Sequence, residues 1–368
     1  MSMSRRILRW FEARINLTEI FSFITTFGLA YGDIDTRKKL DEAVEEAFKR
    51  PLPAYAQWPH VLGLVAFLLF LFQVATGALL LFYYQPAPQS AYDSVLLIIR
   101  DTSLGWYIHQ MHYWGTSVLL ALLVFRLARF FLHGTYKAPR ELIWICGMVL
   151  FLLGCHAALT GNLLPWDQQA YWSVTRSLEI IRSMPVFGHV LGFLVGGLDI
   201  RDAALTRFYL LHVVALPLAM LAFFYLHFAT VRRIGLSPLA EGSASDPKPL
   251  YPNHLLNLLT IFLLLFGVIL ALAVLWPEVF RGPADPFVSP AGIRPPWYLL
   301  PAYGLIETLP AGVGGTVLLL SLLVFLGVPF LDRTPDKPVR RRPVALLLFA
   351  GTCLGLLLLS YMGYTLRG

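Results

Sequence analysis

The chain has 368 residues, of which 57% are hydrophobic and only 14% charged, with a formal net charge of +7. Soluble globular chains carry nearer a quarter charged residues, so an ordinary soluble fold is excluded. The basic residues gather in a few loops between long apolar runs, a pattern of membrane topology rather than of nucleic-acid binding. Three cysteines, Cys146, Cys155 and Cys353, sit inside apolar runs at spacings that fit no zinc or iron–sulfur pattern, and read as small buried residues.

In chain order, residues 1–58 alternate charge with apolar positions, as in RRILRWFEARI and TRKKLDEAVEEAFKR, and predict amphipathic helix lying on a membrane surface. Seven apolar runs follow, at about 59–84, 106–133, 141–161, 208–231, 254–276, 311–331 and 343–363. Each reaches the roughly 20 residues that cross a bilayer. The polar segment ahead of the first run argues against a signal peptide. Arg5, Arg6 and Arg9 open the chain, Lys137 and Arg140 separate spans two and three, and Arg232 and Arg233 follow span four. Lys337, Arg340, Arg341 and Arg342 separate spans six and seven. The positive-inside rule places all of these, with the N-terminus, on the cytoplasmic or negative (n) side. Loops 85–105, 162–207 and 277–310, rich in Pro, Trp and Tyr, then lie on the positive (p) side.

A polar Pro/Ser/Gly-rich stretch at 234–253 marks a module boundary. The expected fold is an all-α membrane protein of seven transmembrane helices. It comprises a surface segment (1–58), a four-helix module (59–233), the linker and a three-helix C-terminal module (254–368).

Gly63 and Gly77 are fourteen residues apart on span one, as are Gly147 and Gly161 on span three. Fourteen residues make nearly four helical turns, about 21 Å, so each pair shares a face at two depths. Small residues let another body approach the backbone. Ordinary helix packing explains one such pair, whereas two matching pairs suggest something flat and bulky at each depth. Span two carries His112, and span four carries His212 and His227. Intramembrane histidines are costly unless partnered. His112 and His212 fall at one depth near the p side, where two imidazoles from facing helices can ligate a haem iron. His227 follows His212 by fifteen residues, but the position fourteen beyond His112 is Arg126.

The segments GWYIHQMHYWGTSVLLALLVFRLARFFLHG, TGNLLPWDQQAYW and TRFYLLHVVALPLAMLAFFYLHF closely resemble the helix motifs of cytochrome b from quinol-oxidising bc-type complexes. QVATGALLLFYYQP, ADPFVSPAGIRPPWYLLPAYGLIETLP and VPFLDRTPDKPVRRRPVA extend the resemblance to roughly residues 50–365. With seven spans, the chain is most similar to a fusion of the two cytochrome chains of the plastoquinol-type complex. The resemblance implies a haem-b electron-transfer subunit of a prokaryotic cytoplasmic membrane that takes electrons from quinol. The chain has no CxxCH, so a Rieske-type iron–sulfur protein, a c-type cytochrome or both are the implied partners, with a homodimer as the usual assembly.

The family stacks two haems across the membrane, each between spans two and four. Carried over, His112 and His212 ligate the p-side haem b and His227 one face of the n-side haem, with Gly63, Gly77, Gly147 and Gly161 admitting the ring edges. Arg126 offers iron no lone pair. Three readings of the n side stay open: a five-coordinate haem on His227, no haem, or a haem with another ligand such as His60. Arg126 could instead pair with haem propionates or an anionic quinone head. Val61 stands about where the plastoquinol-type family attaches an extra haem through cysteine, so no such attachment is implied. His109 and Arg207 occupy positions near the p-side haem propionates, and Arg129 is a further candidate anchor near the n-side end of span two.

The family oxidises quinol between two p-side walls. One is present as LPWDQQAYW at 164–172. The other is normally Pro-Glu-Trp-Tyr, whose carboxylate accepts a proton, but here Pro296 replaces the glutamate while Trp297 and Tyr298 remain. Each proton released from quinol at a buried site needs an acceptor. Glu307, Asp285 and His156 are the candidates, with Glu307, Tyr298 and Trp297 as the catalytic set. Two alternatives accompany this reading: a single-haem cytochrome b serving a dedicated redox partner without a full Q cycle, and a haem-free membrane scaffold.

Overall fold

The computed structural model describes residues 17–26, 34–53, 56–194, 197–200, 202–237, 248–310 and 312–365. The predicted surface segment is thus described from residue 17, with Arg5, Arg6, Arg9 and residues 238–247 of the 234–253 linker lying outside the described residues. Among the described residues the chain forms α1 (Leu17–Thr26), α2 (Leu40–Lys49), α3 (Trp58–Leu81), α4 (Ala91–Arg100), α5 (Gly105–Leu132), α6 (Glu141–Leu163) and α7 (Gln168–Arg182). There follow α8 (Phe187–Leu194), α9 (Ala203–Ile234), α10 (Leu255–Leu275), α11 (Leu300–Thr308), α12 (Val313–Leu331) and α13 (Pro343–Thr365). A two-residue antiparallel ladder, Pro51–Leu52 with Lys248–Pro249, ties the segment before α3 to the segment before α10.

Helices α3, α5, α6, α9, α10, α12 and α13 are long and apolar enough to cross a membrane, and they match the seven predicted spans to within a few residues. Each is apolar on nearly every face, as a lipid-facing helix must be when its backbone bonds are satisfied internally. Spans one to four enclose the core. Phe67 and Phe70 of α3 interleave with Phe224 and Phe228 of α9, their rings 5.3–6.0 Å apart. Val61, Val65, Leu69 and Leu150 are fully shielded around them.

Two kinds of join hold the last three spans to this bundle. Indole N–H groups cap carbonyls across helices: Trp114 Nε1 donates to Trp276 O and Trp144 Nε1 to Phe325 O, both at 2.8 Å. At the end carrying the basic loops, Asp332 gathers Lys137 (3.0 Å), Arg342 (3.1 Å) and the Tyr136 hydroxyl. Arg342 also donates to the Phe131 and Leu132 carbonyls at the end of α5. Burial acts to raise the Asp332 carboxyl, but hydrogen bonds from Thr334, Tyr136 and Lys137 outweigh it and hold the group well below the usual carboxylate range.

At the opposite, aromatic end, the stretches expected as loops contain four further helices among the described residues, α4, α7, α8 and α11. At 8 to 15 residues, all are too short to cross a membrane. Asp167 starts α7: its Oδ1 accepts from Ala170 N (2.7 Å), while its Oδ2 accepts from Arg281 N (2.8 Å) in the loop after span five. One carboxylate therefore pins two of the three loops of the aromatic end together.

Candidate functional site

Each helix of the four-span bundle contributes to two levels of facing residues. At the aromatic end, the His112 ring of α5 and the His212 ring of α9 lie with centroids 6.1 Å apart. The second nitrogen of each ring is oriented by a neighbouring helix. Thr76 Oγ1 donates to Phe72 O (2.9 Å), so it accepts from His112 Nδ1 (2.9 Å). His212 Nδ1 donates to the Ala157 carbonyl (2.9 Å). Both imidazoles are thereby fixed with Nδ1–H turned outward and the Nε2 lone pair available to a metal, the usual outer arrangement of a ligating histidine.

The glycines explain how these rings fit. A Cβ on Gly77 would stand 3.1 Å from His112 Cε1, and one on Gly161 only 2.5 Å from His212 Cε1. Any side chain there would push the rings from their positions. The residues at this level fit a bis-histidine haem: two oriented lone pairs on facing helices, with backbone cleared beside each ring.

Span four reaches this geometry through a local irregularity. Pro217 lacks the N–H that would bond to the Val213 carbonyl, and residues Leu211–Ala215 form a π-turn instead. That turn takes up one extra residue. The fifteen-residue spacing of His212 and His227 therefore spans the same number of turns as fourteen residues on α5.

Four turns deeper the chemistry is reversed. Arg126 Nη2 lies 2.9 Å from His227 Nε2. Guanidinium can only donate, so the His227 Nε2 lone pair is already engaged. Both side chains are buried, 4% and 2% exposed. A Cβ on Gly63 would meet Arg126 Nη2 at 3.1 Å and one on Gly147 would meet Leu127 Cδ2 at 3.3 Å, so α5 side chains fill the space these glycines open. Beside the pair lies a cavity of about 60 Å³ lined by His60, Arg126, Arg129, Arg140 and His227 among others. His60 is tied to Ser237 O (2.9 Å). The residues at this level do not fit an iron ligated through His227 Nε2.

The remaining candidates lie around the aromatic end. His109 is one turn before His112, and its buried Nδ1 has no hydrogen-bond partner among the described residues. The same holds for His156 Nε2 on α6. Arg207 is exposed at the start of span four, where a Cβ on Gly197 would meet its guanidinium at 3.0 Å. Asp285 accepts from Phe287 N (2.8 Å) within its own loop. Trp297 Nε1 reaches Ser117 Oγ (3.3 Å) on α5. Tyr298 is pressed inward near Cys155 and Tyr113, and burial pushes its phenol well above the ordinary value. Glu307 is half-buried on α11, a helix seated on α13, where the Gly304 backbone touches that of Leu359. The second wall thus approaches span two through Trp297 and Tyr298.

Residues 48–235 match the family model described as Cytochrome b/b6/petB, and residues 283–367 match Cytochrome b(C-terminal)/b6/petD. The chain is 33% identical over 316 residues to a cytochrome b of Rickettsia conorii, covering 82% of this chain and 78% of that protein. It is 29% identical over 374 residues to the cytochrome b of Rickettsia prowazekii, covering 98% and 87%. A cytochrome b of Schizosaccharomyces japonicus is 32% identical over 301 residues, covering 79% and 77%. Among solved structures, a chain of a hyperthermophilic respiratory Complex III superposes with a TM-score of 0.80 at 28% identity, covering 89% of this chain and 90% of that one.

Proposed function

Because this chain belongs to the cytochrome b family, we propose that it works with a single haem b, held by His112 and His212 at the aromatic end. The protein is a membrane haem-b electron-transfer subunit of a quinol-oxidising complex. The observation that carries the single-haem reading is the contrast between histidines. His112 and His212 present Nε2 lone pairs, whereas that of His227 is bonded to Arg126.

Bound there, the haem supplies one-electron redox chemistry. The chain's own part is to orient the two imidazoles through Thr76 and Ala157, to keep Gly77 and Gly161 clear, and to seal the bundle with the Phe67–Phe228 aromatic core. Quinol binds at the aromatic end between the 164–172 wall and Pro295–Tyr298, with Trp297 and Tyr298 lining it. Glu307 stands behind that wall as one carboxylate within the catalytic set, and His109 and Arg207 bound the haem level. A Rieske-type iron–sulfur protein, a c-type cytochrome or both, separate from this chain, receive its electrons. The clustering of Lys137, Arg140, Arg232, Arg233 and Arg340–Arg342 at one end supports placing that end in the cytoplasm and the quinol loops on the p side. With Arg126 at the deeper level, a second haem does not relay electrons across the membrane, which favours a route without a full Q cycle.

His212→Leu tests the assignment. It should abolish haem binding and, with it, quinol-dependent reduction of the chain's Soret band. Unchanged haem content would overturn the ligand assignment.

A further inference from the structure

With proline at position 296, the quinol site lacks its expected proton acceptor, and one carboxylate outside the cytochrome b-like motifs lies beside both quinol walls. Glu278 lies just beyond span five. Gln110 of α5, 1% exposed, grips its backbone from both sides: Glu278 N donates to Gln110 Oε1 (2.8 Å) and Gln110 Nε2 donates to Glu278 O (3.2 Å). Together with the Trp114–Trp276 bond, this fastens the turn leaving span five to α5 on either side of His112. The Glu278 carboxylate lies within electrostatic reach of Tyr113 on α5 and of Asp167 in the first quinol wall. Tyr298, from the second wall, interacts with the same Tyr113. Tyr113, next in sequence to His112, is thus shared between Glu278 and the Pro-Pro-Trp-Tyr loop.

Asp167 is occupied by the N–H groups of Ala170 and Arg281. Among the described residues, the Glu278 carboxylate has no hydrogen-bond or ion-pair partner, although it is half-buried.

We propose that Glu278 is the proton acceptor for quinol oxidation, taking the place of the glutamate absent at position 296. The inference rests on the quinol-oxidising reading above. A quinol O–H bond breaks and a carboxyl O–H bond forms. The second hydroxyl proton goes to water at the mouth of the site. The two electrons leave singly to high-potential iron–sulfur or c-type cytochrome partners, the haem at His112 and His212 being the relay that would serve one of them. Burial, reinforced by the charge of Asp167, pushes the Glu278 carboxyl up to about 8. Below that pH the group is already protonated and cannot accept, so turnover should climb as pH rises through about 8. Asp167 and Tyr113 are the titratable groups that face it.

The test uses the purified complex with a short-chain ubiquinol or menaquinol. The wild type should show a rising limb in kcat with a midpoint near pH 8, and infrared titration should show a carboxyl band with the same midpoint. Glu278→Gln should lower kcat about a hundredfold, at the low end of general-base effects, and remove the limb and the band while the reduced haem spectrum is unchanged. Glu278→Asp should keep both at a shifted midpoint. A Glu278→Gln complex with wild-type rate and limb overturns the inference, as does loss of the limb in Glu307→Gln instead. If Glu278→Gln does not assemble, a wild-type profile without the limb, or an aspartate variant that leaves its midpoint unmoved, overturns it. A wild-type complex that fails to reduce its haem with quinol refutes the quinol-oxidising reading itself, a distinguishable outcome.

Discussion

Exchanging Arg126 for histidine tests how far the deeper site has departed from a haem site. In the native chain the guanidinium reaches 2.9 Å from His227 Nε2 and lies where a Gly63 side chain would be. It is a cation 4% exposed at membrane depth, with His227 as its hydrogen-bonding neighbour. Burying a charge without a counter-charge costs several kcal/mol even after relaxation. Histidine removes that cost, withdraws the donor from His227 Nε2 and places a second imidazole fourteen residues beyond His112. The variant should gain a second low-spin haem, doubling the ratio of haem to chain in a pyridine haemochrome assay, and should resist heat better by about 3 kcal/mol. Arg126→Leu frees the same lone pair without supplying a ligand, and should stay at the native ratio. If Arg126→His keeps the native ratio, the space beside Gly63 and Gly147 stays closed even without the guanidinium, and the reasoning from lone-pair occupancy fails.

Gly161→Ala would force a Cβ to 2.5 Å from His212 Cε1 and should strip most haem during purification. Gly267→Ala, where nothing lies within 4 Å, should leave haem content unchanged. Thr76→Val removes the acceptor of His112 Nδ1; losing such an outer partner costs about 10- to 100-fold in metal affinity, to be read as faster haem transfer to apomyoglobin. Asp332→Asn leaves Lys137 and Arg342, 8% and 3% exposed, without their carboxylate, and should destabilise the protein by about 3–5 kcal/mol in a thermal melt. Because the folded chain holds Asp332 below its unfolded value, its contribution is present above about pH 4 and should fade as pH falls further; an acid melt of the asparagine variant that matches the wild type would contradict this.

Much of this architecture is legible in the residues. Apolar run lengths locate the spans, because backbone in lipid has few alternatives to helix. The fourteen-residue glycine spacings and the positions of His112 and His212 reveal one level of the site, because helical periodicity converts spacing into depth. The short helices α4, α7 and α8 are less visible, although Asp167 ahead of Gln168–Arg182 carries a recognisable N-cap signal. Pro217 was the local sign of the π-turn. Arg126 is plainly the wrong residue for a ligand, but its donation to His227 depends on where two helices meet. Glu278 is the hardest to read: a lone glutamate after Trp276-Pro277 has no periodicity, and its setting arises from Gln110, 168 residues away in sequence. Contacts between distant segments make that site, and no local pattern announces them.

The most direct test of the account is a haem count on the purified complex, combined with electron paramagnetic resonance of the oxidised protein. The account predicts one haem b per chain with a single low-spin bis-histidine signal that disappears in His212→Leu. Two haems per chain, or a second signal that survives His212→Leu and is lost in His227→Leu, would contradict it.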